Sequence, residues 1–347
     1  MCTSFTIGST ESGYVYGRTM EFTLDLKSQV MVVPKGTSMT ATGKDGDVGK
    51  GGLTWQVEHG WVAANGLGLD VAFDGINDAG LVFGLLNFPA SSKFMEVADA
   101  DQASAISCVD VGAYLLSTCA TVDEVRAALE RVPVQGAAFA AYGGQVPGVH
   151  YCVHDETGRA LVIEYTGSGP EIHENPTTVM TNEPRFKSQL DHLGLYQSVT
   201  NKAPEPIRAG DLVLQANSSG DGTLGLPAGF TAAARFVRAF WYARFALPFK
   251  SGEEGARVAR HILNQFDIPP GTVMTEAGGT GEGGGVAGAE ITQWQSVADI
   301  ANRIYYVSSY EHPNLAKVDV AKATAAASGI AYIPLPGMDA IPELLPA

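Results

Sequence analysis

The hydrophobic pattern of this chain changes period in blocks, and the order of those blocks restricts the fold more than any other feature. β-rich runs come first: Tyr14-Val15-Tyr16-Gly17-Arg18, Gln29-Val30-Met31-Val32-Val33 and, after the turn residues Asn77-Asp78-Ala79-Gly80, Leu81-Val82-Phe83-Gly84-Leu85-Leu86. The last run is apolar on both faces, as a central strand covered on both sides must be. Residues 109–116 then read as helical. Thr121-Val122-Asp123-Glu124 is a capping box opening a helix over 125–130, its hydroxyl and carboxylate each able to satisfy an orphan N–H. Strands return at 149–153, 160–165 and 177–181. A second helical pair follows, over 232–247 with Thr231 as cap and over 254–266, and their short connection makes them antiparallel neighbours. Residues 304–307 and 315–320 close as strands. Strands, two helices, strands, two helices, strands predict an α+β layer architecture, not alternating βαβ units.

Composition narrows the function classes. The chain has 347 residues, 45% hydrophobic and 17% charged, so it is a globular chain long enough for a large core. Its 22 basic residues against 37 acidic give a formal charge of −15, which argues against a nucleic-acid partner. No apolar run reaches the ~18 residues of a membrane span. No signal peptide is visible at the start, so a cytoplasmic protein is expected if Met1 is the native start, and a periplasmic one if a leader was removed. The glycine-rich stretch 278–285 contains a formal GxGxxG, but without the strand-then-helix context of a cofactor loop it reads as a surface loop.

The four cysteines are Cys2, Cys108, Cys119 and Cys152. None forms a CxxC, and the seven histidines do not join them at zinc spacing, so neither a disulfide scaffold nor a zinc site is expected. Cys2 is different in kind. If Met1 is removed, one residue supplies both a thiolate nucleophile and, in its α-amine with a reference pKa near ~8, a proton acceptor and donor. A strand from residue 3 that turns near Ser12-Gly13 would return residues 14–22 antiparallel, bringing Arg18 and Glu21 near Cys2. A guanidinium there would favour the thiolate, and a carboxylate could orient the α-ammonium. The plainer alternatives are a small residue at a loose terminus and a surface Arg–Glu pair. A further one is an internal hydrolase built on Cys152 with His150 or His154, since these three positions share one strand face.

Several motifs in register then resemble the choloylglycine hydrolase family of linear amide C–N hydrolases, which includes conjugated bile salt hydrolases and penicillin V acylases. They are Met1-Cys2-Thr3-Ser4-Phe5, Gly17-Arg18-Thr19-Met20-Glu21-Phe22, Asp74-Gly75-Ile76-Asn77 and Gly84-Leu85-Leu86-Asn87-Phe88-Pro89. Met180-Thr181-Asn182-Glu183-Pro184, Ala234-Arg235-Phe236-Val237-Arg238-Ala239, Thr292-Gln293-Trp294 and Tyr305-Tyr306 complete the set. The resemblance spans roughly residues 2–320. It implies a four-layer αββα sandwich of the N-terminal nucleophile hydrolase type, a single domain over residues 2–347 with Met1 removed.

The resemblance also implies the site. The thiol nucleophile matches Cys2, the positioning arginine Arg18, the oxyanion region Asn87 and Asn182, and the second arginine Arg235, with Arg238 on the same helix. The partner of the N-terminal amine is usually Asp; here Glu21 keeps the charge and adds a methylene. The implied reaction is attack of Cys2 on a linear amide, a thioester intermediate and hydrolysis, with no metal or organic cofactor. The substrate would be a small amide with an apolar acyl group, such as a conjugated bile salt or penicillin V. An N-acyl homoserine lactone, or a non-catalytic binding role, is the alternative. Acyl contacts are expected from Phe22, Leu24, Trp61 and Phe94, because acyl pockets are apolar. A homotetramer, with residues 196–227 as an assembly loop, completes what the resemblance implies.

Overall fold

The computed structural model describes residues 1–278 and 285–338. The stretch 279–284, which holds most of the glycine-rich run, lies outside the described residues, as do residues 339–347.

Two antiparallel sheets form the centre. The first runs in the order Cys2–Ser9, Gly13–Phe22, Gly288–Asp299, Ile304–Ser309, Ala316–Asp319, with Val273–Thr275 pairing alongside Gly288–Asp299. The second has eight described strands, in the order Pro170–Glu174, Ala160–Tyr165, Val149–His154, Val82–Asn87, Leu69–Asn77, Trp61–Gly66, Gln29–Val33, Ala331–Pro334. The sheets face each other through Cys2–Ser9 against Val82–Asn87 and Gly288–Asp299 against Leu69–Asn77. That contact needs a glycine: a Cβ on Gly84 would lie 2.6 Å from the Tyr16 hydroxyl of the facing sheet.

Helices cover both outer faces. Ala232–Phe245 packs on Cys2–Ser9, and Gly252–Leu263 on Gly13–Phe22 and Gly288–Asp299. Val111–Thr118 packs on Leu69–Asn77 and Val82–Asn87. The result is the four-layer αββα sandwich. Local chemistry sets the helix starts: the hydroxyls of Thr121, Thr231 and Ser251 accept from the backbone N–H three residues on. The capping box is completed one residue early, with Glu124 Oε2 accepting from Ala120 N at 2.6 Å.

The β-branched run 177–181 is not a strand. Asn175 Oδ1 captures Thr177 N and Oγ1, an Asx turn that bends the chain, and Thr178 takes φ 56°. Only Met180 regains β pairing, in a bridge to Ser4 at 2.8 and 3.0 Å. That bridge covers the otherwise open edge of the first strand and delivers Thr181 and Asn182 to its end. The segment expected as a strand over 315–320 is shorter, because Asp319 caps a helix starting at Val320.

Candidate active site

The first hairpin places Cys2. Cys2–Ser9 pairs with Gly13–Phe22 from Cys2 opposite Met20 to Ser9 opposite Gly13. Gly13 supplies the left-handed backbone of the turn at φ 77°. Ser4 lies opposite Arg18, and Arg18 Nη2 reaches the Cys2 Sγ at 3.5 Å.

Arg18 is fully buried, so its charge needs partners. The guanidinium donates to the carbonyls of Phe73 and Leu85, lies 3.5 Å from Asp74 Oδ2 and sits 5.4 Å over the Trp294 ring. Burial works against this charge, but Cys2 and Asp74 more than offset it, and the Arg18 pKa ends above its usual value. Asp74 is fastened by the Tyr16 and Tyr305 hydroxyls at 2.9 Å and by Ser296. A cation held rigidly beside a thiol is the setting in which a cysteine acts as a nucleophile.

The Cys2 backbone is held as firmly. Its N–H donates to Asn182 Oδ1 at 2.9 Å, and the same oxygen accepts from Arg235 Nη2 at 2.6 Å. Arg235 Nη1 donates to the Cys2 carbonyl and, at 2.7 Å, to Thr3 Oγ1. Asn182 Nδ2 donates to the Asn87 carbonyl at 2.8 Å, so one amide ties the start of Cys2–Ser9 to the end of Val82–Asn87. Arg238, one helical turn on, is spent elsewhere: it donates to the carbonyls of Pro227 and Gly229 and lies over Phe266.

Met1 occupies the approach to the Cys2 nitrogen. Its ammonium pairs with Glu290 and donates to the Glu21 carbonyl at 2.7 Å, while Glu21 N donates to the Met1 carbonyl at 3.0 Å. Glu21 itself is fully buried. Thr292 Oγ1 donates to its Oε1 at 3.3 Å, and its Oε2 has no hydrogen-bond partner among the described residues. Burial pushes the Glu21 carboxyl up to about 7, against the opposing pull of the Met1 ammonium and Arg235. Glu290 belongs to this site yet carries no local signal, and the motif residue Thr292 meets Glu21 only through the pairing of Gly288–Asp299 with Gly13–Phe22, which sets the two opposite each other.

An apolar pocket opens beside the thiol. Cys2 and Asn87 line it together with Met20, Phe22, Leu26, Leu67, Leu69, Val71, Phe73, Leu85, Val109, Phe139, Tyr142, Pro147 and Val149. Of the four side chains expected at the acyl group, Phe22 is in this wall. Leu24 packs at the margin of the core, and its carbonyl accepts from Gln293. Trp61 is fully buried away from the pocket, with its Nε1 donating to Ser117 Oγ at 2.9 Å. Phe94 lines a neighbouring cleft with Ser92, Met95 and Tyr142, and Tyr142 separates that cleft from the pocket at Cys2. Among the described residues, no group of His, Cys, Asp and Glu is placed to hold a metal ion, and no helix is long and apolar enough to cross a membrane.

The model of the linear amide C–N hydrolases of the choloylglycine hydrolase family matches residues 2–331. A bile salt hydrolase/transferase of Clostridium perfringens is 25% identical over 334 residues, covering 93% of each chain. A penicillin V acylase of Pectobacterium atrosepticum is 24% identical over 338 residues, covering 91% of this chain and 79% of its own. The crystal structure of a mutant conjugated bile acid hydrolase from Clostridium perfringens superposes with a TM-score of 0.83 over 99% of this chain and 100% of its own, at 20% identity.

Proposed function

The chain belongs to the choloylglycine hydrolase family of linear amide C–N hydrolases, with Cys2 in the place of the nucleophile, and from that premise we propose the course of its reaction and its class of substrate. The observation that carries the proposal is the position of one sulfur: Cys2 Sγ faces an apolar pocket on one side and the Arg18 guanidinium, 3.5 Å away, on the other.

Met1 is removed first. While it is present, the Cys2 nitrogen is a peptide nitrogen whose lone pair is delocalised, and it cannot take a proton. After removal, the Cys2 thiolate attacks the amide carbon. The tetrahedral oxyanion forms near Asn182 and Asn87; Asn182 Nδ2 keeps a second hydrogen beyond the one given to the Asn87 carbonyl. One such donor is worth about 3 kcal/mol to the transition state. The C–N bond breaks as the α-ammonium gives its proton to the departing nitrogen, which leaves a thioester and a neutral α-amine. That amine takes a proton from water, the hydroxide adds to the thioester, and the acid leaves as the thiolate returns. The Cys2 nitrogen already donates to Asn182 Oδ1 at 2.9 Å, and Glu21, whose Oε2 has no hydrogen-bond partner among the described residues, is the carboxylate assigned to the remaining hydrogens of the ammonium. Arg235 positions the Cys2 carbonyl and Asn182.

The acyl group is apolar, because the wall beside the thiol is apolar apart from Asn87 and Tyr142. Conjugated bile salts and penicillin V, substrates of the relatives by their names, are the first candidates. The test is hydrolysis by Met1-free protein of glycine- and taurine-conjugated bile salts, penicillin V and N-acyl homoserine lactones, with Cys2→Ala as control. Cleavage of at least one amide, lost in the variant, is expected. No cleavage of any of them by folded protein would overturn the reading. The homotetramer is part of the same proposal: exposed Ile207, Leu212 and Leu214 on the hairpin Ile207–Ala209 and Leu212–Leu214 are its candidate surface, and sedimentation tests it.

A further inference from the structure

Behind the two asparagines lies a buried histidine that the mechanism above does not use. His150, on the strand Val149–His154, is 1% exposed. Its Nε2 lies 3.0 Å from the Thr181 carbonyl, and because a carbonyl only accepts, that nitrogen carries the hydrogen. The opposite ring nitrogen, Nδ1, lies 3.6 Å from Glu164 Oε1, an approach of charge and not a hydrogen bond. The ring is stacked on Phe88, with centroids 4.1 Å apart and planes at 5°. Thr181 immediately precedes Asn182 and Phe88 immediately follows Asn87, so one imidazole braces both segments that carry the site asparagines.

Glu164 is set in turn. It is fully buried, and its Oε1 accepts from Phe186 N at 2.7 Å. Its Oε2 lies 3.5 Å from Arg185 Nε and 3.9 Å from His173 Nε2. Burying a carboxylate and an imidazole inside the sandwich, with the partly exposed Arg185 and His173 at its edge, is costly unless their geometry is fixed. The core gains nothing from them that apolar side chains could not supply. What they do provide is direction: a hydrogen bond and a stacked face that set Thr181 and Phe88, and through them the bond from Asn182 Nδ2 to the Asn87 carbonyl and the acceptor for Cys2 N. Gln189 adds a second hold on the same turn, its Nε2 donating to the Asn182 carbonyl at 2.6 Å.

We propose that His150, oriented by Glu164, is a positioning residue for Asn87 and Asn182 and thereby for the oxyanion site and the Cys2 nitrogen. It touches no reacting atom. The proposal rests on the amide-hydrolase reading above, and it places part of the catalytic geometry on the side of the second sheet that faces away from the acyl pocket.

The test compares His150→Phe, His150→Gln and His150→Asn in Met1-free protein. Phe keeps the stacked face and removes the donor. Gln can place an amide N–H near the Nε2 position, and Asn only near Nδ1. Three quantities are read: kcat and KM on the best amide of the panel, and the rate of Cys2 alkylation by iodoacetamide. A displaced oxyanion site costs about 10- to 100-fold in kcat for His150→Phe. KM and the alkylation rate change less than kcat, because Arg18 and the apolar wall are untouched and Asn87 is the one lining residue affected. His150→Gln recovers most of the lost kcat. Wild-type kcat in His150→Phe would overturn the proposal. So would equal losses in Phe and Gln variants accompanied by slowed alkylation, which is the pattern of general loosening. If His150→Phe does not fold, the pair His150→Gln and His150→Asn decides: kcat retained in Gln and lost in Asn is expected, and equal kcat overturns it. Absence of turnover in the wild type would instead count against the amide-hydrolase reading, so the two failures are distinct.

Discussion

Cys2 and Cys152 are both buried, and the Ser4 hydroxyl, two residues deeper on the strand that begins at Cys2, lies 3.6 Å from the Cys152 sulfur. Their surroundings differ in three respects. Cys2 has a guanidinium 3.5 Å away, a pocket in front of it and Met1, bonded to the Glu21 carbonyl and Glu290, behind it. Cys152 is sealed between the sheets, and burial pushes its thiol up to about 11, against the opposing effects of the Ser4 hydrogen bond and the Arg18 charge. Its neighbours on the strand face do not help it. His150 is committed to the Thr181 carbonyl and Glu164. His154 bonds Thr6 Oγ1 at 3.0 Å, and burial holds its pKa down to about 3. No hydrogen bond joins either ring to Cys152 among the described residues. Burial alone therefore makes a thiol inert; a fixed cation and an open face at the strand end make it a nucleophile.

Substituting both cysteines gives the largest separation. Cys2→Ala is expected to lower kcat about 1,000-fold or more, since nothing else in the site can form the thioester. Cys152→Ala should leave kcat within about twofold and cost about 1 kcal/mol of stability for the lost packing. Comparable losses in the two variants, measured by steady-state kinetics, would erase the contrast.

A smaller effect separates the pocket wall from the core. Phe22→Ala removes an apolar wall beside Cys2 and should lower kcat/KM about 10- to 100-fold. Trp61→Phe removes the bond to Ser117 and a little volume; stability should fall by about 1–2 kcal/mol with kcat/KM unchanged. Kinetics paired with thermal denaturation checks both.

The smallest effect is a pH slope. With Met1 in place, the folded chain holds the Glu21 proton up to about 7, well above an unfolded glutamic acid. The folded state therefore binds more protons than the unfolded state across that window. The contribution of Glu21 to stability is complete below the unfolded pKa and is lost as pH rises through about 7. In Glu21→Gln this slope disappears. Urea denaturation of both proteins at pH 4.5 to 8 should show the wild type losing stability relative to the variant as pH rises, and parallel curves would refute the assignment.

The readable part of the site was its local part. The Ser12-Gly13 turn places Arg18 and Glu21 by hairpin register alone, and the hydroxyl caps at Thr121 and Thr231 mark helix starts within a turn of sequence. The wall of the pocket beside Cys2 was less legible. All six residues of Trp61–Gly66 are buried, so the strand shows no alternation to tell which face meets Cys2. The run 177–181 has strand propensity, but Asn175, two residues upstream, turns it into the bend that presents Asn182. Glu290, and the contact of Thr292 with Glu21, enter through the pairing of distant segments, which a one-dimensional pattern does not carry, whereas His150 and Glu164 lie on the two neighbouring strands of one hairpin.

The central claim is that one residue supplies both nucleophile and base, which requires a free α-amine on Cys2. The direct measurement is turnover by two preparations of the same chain, one retaining Met1 and one lacking it, with intact mass verifying each. The account predicts amide hydrolysis by the Met1-free protein and at least about 1,000-fold less by the Met1-bearing protein, in which the Met1 ammonium stays paired with Glu290. Equal turnover by the two would contradict it.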